Sequence, residues 1–460
     1  MVGKSNRRLV IAVVVTAVFM SNLDLWIVNV ALVDIARSLG ASLASVSWVL
    51  NAYAVTLAAL LIPAGRLGDR IGHRQVFLAG ITLFTLASLA CAAAPNLGVL
   101  VIARIVQASG AALQLPTSLA LLLATVEVAS RTTAARGWAA VGALAAVFGP
   151  VLGGLLVTAS WRWVFVVNLP VGIVALVAGA RALPVDRPDT REPLPDLLGS
   201  AVLVVAVAAL TGALVDAPQW GWTSPGTVGL LALATLSTTI FLRRCARHPR
   251  PMVELHLLRV RPFAIANLGT FVFSAAFAIM LLSNSLWCQG IWHYSALRTG
   301  LAMAPGPAVV PLVTFASIRL VRRIGPGRVA AAGSVVFAVA MMWRVLSASE
   351  SSRYVTDMLP SMVIGGVGVG LTLGTLIAAG ATALPAHRAA TGSAFVNSGR
   401  QIASALGVAI LVTVLGTTAS VHEFRVGWAV AAALAIGAAA TSVSLPQVAA
   451  VPRAAVAEMA

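Results

Sequence analysis

Gly65-Arg66-Leu67-Gly68-Asp69-Arg70-Ile71-Gly72-His73-Arg74 sets five ionisable side chains within ten residues, between two long apolar runs. A partial copy lies 253 positions on, where Arg319-Leu320, Arg323-Ile324 and Gly325 repeat Arg66-Leu67, Arg70-Ile71 and Gly72. The first copy carries Asp69 where the second carries Arg322. A charged turn between apolar segments marks a membrane-water boundary, and its echo marks a chain built from two similar halves.

Composition supports the first point. The chain is 59% hydrophobic and 10% charged, with a mean hydropathy of +0.96, a balance foreign to soluble domains. A bilayer core takes about 20 apolar residues per helix. Fourteen runs of that kind fill the chain, from 9–33 to 425–445, and the longest polar gap between them, 181–194, reads as a linker. The first run follows Lys4, Arg7 and Arg8 but is too long for a signal peptide and lacks a small-residue cleavage site, so it is expected to remain.

The net charge of +17 does not imply nucleic acid. With the N-terminus inside, inner segments hold 23 Lys/Arg and outer ones hold 6, namely Arg37, Arg162, Arg298, Arg344, Arg353 and Arg425. That asymmetry places both termini in the cytoplasm of a multi-pass cell-membrane protein, and the basic cluster Arg243 to Arg261 then faces anionic lipid headgroups. Cys91, Cys245 and Cys288 have no metal or disulfide spacing, and the six histidines form no H-E-x-x-H. Gly3-Lys4-Ser5 lacks the upstream glycine of a phosphate loop, which argues against ATP. No metal or organic cofactor is expected; the expected partners are the bilayer and a small-molecule substrate.

Aligning the two charged turns makes helices 9–14 the counterparts of helices 1–6. The expected fold is all-α: fourteen transmembrane helices, with six-helix bundles at 1–180 and 262–445 and a central inserted pair at 195–242. Both turns lie on the same side, so the repeats are parallel, with their axis along the membrane normal.

Ionisable groups deep in a membrane cost on the order of 2.5–3.5 kcal/mol each, and few are present. Asp24 lies mid-run in helix 1, Arg104 near the start of helix 4, and Arg400 in the first third of helix 13. An aspartate at that depth can be protonated when shielded and ionised when wetted, as a proton carrier must be. At 100° per residue, Asn22, Trp26 and Asn29 share a face of helix 1 distinct from that of Asp24 and Ser21. Arg104, Gln107, Gln114 and Ser118 form one stripe of helix 4, expected as a water-facing wall, with an interhelical hydrogen-bond ladder as the alternative. Two glycine stripes, Gly142-Gly149-Gly153 with neighbouring Pro150 and Gly154, and Gly366-Gly370-Gly374, allow close helix approach. They suggest a sliding contact between the halves.

These residues resemble a family. Gly65 to Arg74 is similar to the signature between helices 2 and 3 of the major facilitator superfamily, with His73 in place of a usual Arg. Leu23-Asp24 with Val28-Asn29-Val30-Ala31-Leu32 resembles the helix-1 motif of its fourteen-helix drug:proton antiporter group, which includes actinobacterial-type antibiotic and multidrug exporters. Arg104 to Ala112 resembles that group's helix-4 motif. Gly149-Pro150-x-x-Gly153-Gly154 resembles its antiporter motif, and Trp161 to Gly172 its helix-6 motif. Gly392-Ser393-Ala394 with Asn397 and Arg400-Gln401 is similar to its helix-13 pattern. Departures are Val33 for a usual Pro, Ala108 for a usual Gly, and the bulk of Trp26. The likeness covers residues 10–440.

By position, the resemblance implies a proton-coupled exporter of small hydrophobic or amphipathic drugs or antibiotics, not an enzyme, energised by the proton gradient. Asp24 and Arg104 would handle the proton. Asn22, Trp26, Asn29, Gln107, Gln114 and Asn397 would line a midplane cavity. Gly65, Asp69, Arg70, Gly72 and Arg74 would form a cytoplasmic gate, with Asp69 latching the halves in the outward-facing state. Gly149, Pro150, Gly153 and Gly154 would seal the halves. A single midplane acid suggests cationic substrates. The alternatives are a proton symporter for uptake and, more remotely, a membrane-embedded enzyme, for which no close acid–base pair is evident.

Overall fold

In a bilayer every backbone N–H and C=O must find its partner within the chain, so a sequence this apolar folds into helices that close their own hydrogen bonds. The computed structural model describes residues 4–127, 130–184, 195–248, 251–384, 389–416 and 419–446. Among these, fourteen helices are long and apolar enough to span a membrane. They are α1 (Arg7–Leu39), α2 (Leu43–Ile71), α3 (His73–Ala93), α4 (Leu97–Thr125), α5 (Thr133–Val157), α6 (Trp163–Ala182) and α7 (Leu197–Trp220). The rest are α8 (Pro225–Arg247), α9 (Arg261–Ile291), α10 (Ala296–Ile324), α11 (Pro326–Ser347), α12 (Tyr354–Thr382), α13 (Gly392–Leu415) and α14 (Val421–Val443). Residues 1–3 of the first expected bundle and 185–194 of the expected linker lie outside the described residues, as do Arg187, Arg191, Arg250, Arg388 and Arg453 of the charge tally.

Packing repeats with an offset of eight helices. In the first set α1 packs on α5 and α6, α2 on α4, and α3 on α4 and α6; in the second α9 packs on α13 and α14, α10 on α12, and α11 on α12 and α14. The repeat reaches individual residues. A Cβ on Gly80 would sit 2.9 Å from the Gly110 carbonyl oxygen, and one on Gly110 2.5 Å from the Phe84 amide nitrogen. In the second half a Cβ on Gly333 would sit 3.0 Å from the Gly368 carbonyl oxygen, and one on Gly368 2.7 Å from the Phe337 amide nitrogen. Gly80 and Gly333, like Phe84 and Phe337, are 253 positions apart, the same offset as the charged turns. Those turns end alike, on Gly72 at φ 103° and Gly325 at φ 86°, a left-handed backbone that a Cβ would strain.

Arginines entering α6 and α14 close the ends of α3 and α11. Arg162 Nη1 donates to the carbonyls of Ala92 (2.8 Å) and Ala94 (2.9 Å), and Arg425 Nη2 donates to that of Ala348 (2.8 Å). Ala94 and Ala348 are the C-cap residues of α3 and α11. A cation that satisfies orphan carbonyls at a helix C-terminus also meets the negative end of its dipole. Each of Arg162→Ala and Arg425→Ala is therefore expected to cost about 1–3 kcal/mol, read as a lower midpoint in thermal unfolding of the purified protein; an unchanged midpoint would reduce these bonds to bystanders.

Arg344, one of the six outer-segment cations, is fully buried. Its guanidinium carbon lies 4.3 Å from the Trp428 ring centroid and 5.2 Å from that of Trp287, and Nη1 donates to the Asp357 carbonyl at 3.3 Å. Indole faces substitute for water around this cation.

The extra pair sits at one side of the seam. α7 packs against both α2 and α13, and α8 packs on α7. Asp196 caps α7 by accepting the Gly199 N–H at 2.8 Å and is held by Arg244 of α8, also at 2.8 Å. Burial raises the Asp196 carboxyl, but the Arg244 and Gly199 hydrogen bonds outweigh it and hold the group below the usual aspartate range.

Candidate transport site

α1 is central because it is polar on two faces, and each face meets a different polar environment. The first face holds Asp24, fully buried. Its carboxylate is paired with Arg104 Nη1 and accepts from Gln107 Nε2 at 2.9 Å and Asn168 Nδ2 at 3.1 Å. Arg104 also donates to Gln107 Oε1 (2.6 Å) and, through Nε, to the Val49 carbonyl (3.1 Å). Its guanidinium carbon lies 4.1 Å from the Tyr53 ring centroid. Ser88 Oγ accepts from Gln107 Nε2 at 2.8 Å and donates to the Phe84 carbonyl at 2.8 Å. Five helices, α1, α2, α3, α4 and α6, thus contribute to one charge pair. Such saturation is what a buried ion pair needs to offset its lost hydration.

The second face of α1 opens on a cavity of about 130 Å³ between the two halves. Asn22, Trp26 and Asn29 line it, and α2, α4, α9, α12 and α13 complete its wall with residues that include Asn51, Phe277 and Arg400. Asn22 and Asn29 each give their amide N–H to the carbonyl four residues back, at 2.8 and 2.9 Å. Trp26 meets Phe277 edge-to-face across the seam, with centroids 5.9 Å apart. Arg104 belongs to both environments: it lines the cavity while holding Asp24.

The cavity is closed at the end opposite the Gly65–Arg74 turn. Ser285 Oγ and Gln289 Nε2 of α9 donate to the carbonyls of Asn29 and Val30 on α1, both at 2.9 Å. α5 and α10 touch through backbone: a Cβ on Gly154 would lie 2.5 Å from the Ala296 carbonyl oxygen, and one on Gly300 2.0 Å from that of Pro150. One continuous apolar cluster crosses both halves here, joining Ile27, Leu32 and Phe165 to Ile279, Trp287 and Met303. Towards the charged turns the buried clusters are smaller: Val10, Phe77 and Leu121 in the first half and Phe263, Val396 and Leu384 in the second are separate, while Ile62 of α2 still packs with Met252 and Ala394 of α13.

Several expected residues have other neighbours than foreseen. Gln107 and Gln114 do not line the cavity. Both are fully buried in the interhelical ladder that was the alternative, Gln107 as above and Gln114 through the Ser21 hydroxyl (3.3 Å) and the Gly80 carbonyl (3.3 Å). Asn397 is not on the wall; its Oδ1 accepts from Arg400 Nη2 at 3.3 Å and so orients that arginine. Gly149 and Gly153 pack within the first half, where their Cβ atoms would meet Trp26 Cβ at 2.3 Å and the Ile27 carbonyl oxygen at 3.0 Å, and only Pro150 and Gly154 reach α10. The helical pitch explains the split, since the two i,i+4 pairs are one residue out of phase, about 100° apart. Gly366, Gly370 and Gly374 likewise serve α10–α12 packing inside the second half, against Gly306, Val313 and Thr314.

In the turn, Gly65 lies against Pro116. Asp69 is exposed and pairs within the turn with His73 Nε2 at 3.3 Å. Arg74 Nη2 donates to the Ala180 carbonyl at the end of α6, at 2.7 Å. Arg66 reaches out of the first bundle, to the Pro251 carbonyl at 2.9 Å and Glu254 at 3.6 Å. No latch through Asp69 is formed among the described residues, as suits a structure sealed at the other end.

Sequence reasoning passed over Ser88, Tyr53 and Asn51. A serine that bonds its own helix, or a tyrosine and an asparagine in an apolar run, leaves no spacing signal. Asn168 stood within the helix-6 likeness, but nothing in its position names Asp24 as its partner.

The family model described as Major Facilitator Superfamily matches residues 14–408. The chain is 36% identical over 417 residues to "Multidrug resistance protein Stp" of Mycobacterium tuberculosis, covering 89% of this chain and 76% of that protein. It is 32% identical to "Methylenomycin A resistance protein" of Streptomyces coelicolor, covering 89% and 86%. It is also 32% identical to "Tetracenomycin C resistance and export protein" of Streptomyces glaucescens, covering 86% and 74%. Among solved structures, the POT family transporter PepTSo superposes with a TM-score of 0.66 at 15% identity, over 94% of this chain and 96% of that one. At that identity the likeness concerns the fold alone.

Proposed function

This chain belongs to the major facilitator superfamily, and from that membership we propose that it exports small hydrophobic or amphipathic compounds, drugs or antibiotics among them, in exchange for protons. Relatives named for multidrug, methylenomycin and tetracenomycin resistance support the direction and the substrate class. The observation that carries the mechanism is the double position of Arg104, at once part of the cavity wall and partner of Asp24. A substrate or water that displaces Arg104 leaves Asp24 without its counter-charge, and protonation of Asp24 releases Arg104. Either event changes a pair on which five helices converge.

The bundles α1–α6 and α9–α14 rock about the cavity, with α7 beside the seam. The excess of inner Lys/Arg orients both termini to the cytoplasm of the cell membrane. The sealed end then faces outward and the structure is the inward-facing member of the cycle. Asp69 and the turn around it make their latch in the opposite state. Each proton moving down 100 mV supplies roughly 2.3 kcal/mol.

Two measurements test this. Cells carrying the protein are expected to tolerate raised concentrations of at least one amphipathic inhibitor relative to cells without it. For that compound, reversing the pH gradient across proteoliposomes should reverse net flux, with substrate moving against the proton. Substrate moving with the proton would replace the exporter by a symporter.

A further inference from the structure

The cavity wall contains two arginines, and their circumstances differ. The charge of Arg104 is met by Asp24. Arg400, on α13, is bound only through Nη2 to the neutral Asn397 amide oxygen at 3.3 Å. Its Nε is sealed from solvent without a hydrogen-bond partner. Among the described residues no carboxylate pairs with it. On α2, across the seam, Asn51 is fully buried, lines the same cavity, and has no partner for either atom of its amide.

Buried polar groups are normally satisfied; Asn51 breaks that rule, and the half-buried Arg400 faces the cavity with its Nε sealed and no anion beside it. Here the two unsatisfied groups line one cavity from helices of opposite halves. A cationic ligand would add to an uncompensated positive charge. A neutral apolar one would leave both groups unpaired. A planar oxyanion reaches both residues at once, with one oxygen for the Arg400 fork and one for the Asn51 amide N–H, and leaves only the Asn51 Oδ1 unpaired.

We infer that the cavity binds the carboxylate, or an equally planar oxyanion, of an amphipathic substrate between Arg400 and Asn51, with the apolar body against Trp26 and Phe277. The inference rests on the cavity being the transport site. It reverses the preference for cations that Asp24 alone suggests, because Asp24 is already neutralised and stands behind the wall. Since α2 and α13 belong to different halves, a bound oxyanion also ties the halves together at the seam.

Thermal-shift titration of the purified full-length protein with 2-naphthoate, its methyl ester and 2-naphthylmethylammonium tests it, since a ligand of the native state raises the melting temperature according to its concentration relative to its Kd. The carboxylate is expected to bind at least about tenfold more tightly than either analogue, as a charge-assisted hydrogen bond to Arg400 implies. Arg400→Gln should abolish that preference, Arg400→Lys should retain part of it as a point charge, and Asn51→Ala should weaken naphthoate several-fold. If Arg400→Gln does not fold, the lysine and Asn51 variants decide. Tighter binding of the ammonium, no saturable binding of naphthoate, or full affinity in the Arg400 variants overturns the inference. Proteoliposome flux separates this from the export reading: export restricted to cations sinks the oxyanion site alone, whereas naphthoate binding without coupled flux sinks export alone.

Discussion

Asp24→Asn is expected to reduce pH-gradient-driven flux to that of protein-free vesicles while the protein still reaches the membrane. Asparagine keeps the shape of the side chain but neither its charge nor its proton chemistry. Its amide N–H₂ must also face donors, because Arg104, Gln107 and Asn168 all direct N–H groups at the carboxylate. Arg104 is then a buried cation without an anion, and removing one partner of such a pair costs about 3–5 kcal/mol. A loss of transport by the single variant could therefore be a loss of fold. The double variant Asp24→Asn with Arg104→Gln separates the two, since it removes the stranded charge together with its partner. Its melting temperature is expected to recover most of the single variant's deficit, a coupling read from the double-mutant cycle, while coupled flux stays absent. Coupled transport by a stably folded Asp24→Asn protein would remove Asp24 from the proton path. Equal instability of single and double variants would show that the pair is not the unit that matters.

This experiment turns on a contact the sequence foreshadows but does not state. Asp24 and Arg104 stand out because charges are rare at their depth in an apolar run, and the cost of burying them makes both worth naming. That they meet each other, 80 residues apart, is a property of packing. So is the convergence of Gln107, Ser88 and Asn168 on the same carboxylate. The fold was more legible. Fourteen runs of spanning length leave no other way to satisfy the backbone, and the Arg66/Arg319 echo fixes how the halves correspond. The same 253-residue offset recurs at Gly80/Gly333 and Phe84/Phe337, where a missing Cβ lets α3 approach α4 and α11 approach α12.

Residues that a pattern assigns to a face were less legible, because a pattern does not say what the face meets. The stripe from Arg104 to Gln114 is real, yet only Arg104 reaches the cavity wall, since α1 and α3 cover the glutamines. Arg344 read only as an outer-segment charge because nothing in its neighbourhood announces Trp287 and Trp428, brought from 57 residues before and 84 after. Asn51 was invisible for the opposite reason, an unremarkable amide whose meaning depends on having no partner. The net charge of the cavity shows the same limit. One acid in the membrane suggested cations, whereas the geometry pairs that acid and leaves Arg400 as the uncompensated group.

The contact between α5 and α10 makes the second large prediction. A Cβ at Gly300 would fall 2.0 Å from the Pro150 carbonyl oxygen, and one at Gly154 2.5 Å from that of Ala296. Both obstacles are backbone, so no rotamer change relieves them, and α5 and α10 must separate. Overpacking of this kind costs typically about 1–3 kcal/mol, and each 1.4 kcal/mol shifts a two-state equilibrium about tenfold. Gly300→Ala is therefore expected to depopulate the state sealed at this end and to slow transport, because alternating access requires that seal once per cycle. Spin labels at Thr158 and Arg298, both exposed near the touching ends of the two helices, should report a longer distance in Gly300→Ala than in the unmodified protein. Gly149→Ala is the control. Its Cβ would meet Trp26 Cβ at 2.3 Å, a clash within the first half that disturbs the cavity wall without prising α5 from α10. The Thr158–Arg298 distance should then stay unchanged in Gly149→Ala even where transport falls. A Gly300→Ala protein with the original distance and full transport would mean that the helices yield locally, and that this contact does not set the balance between the two states.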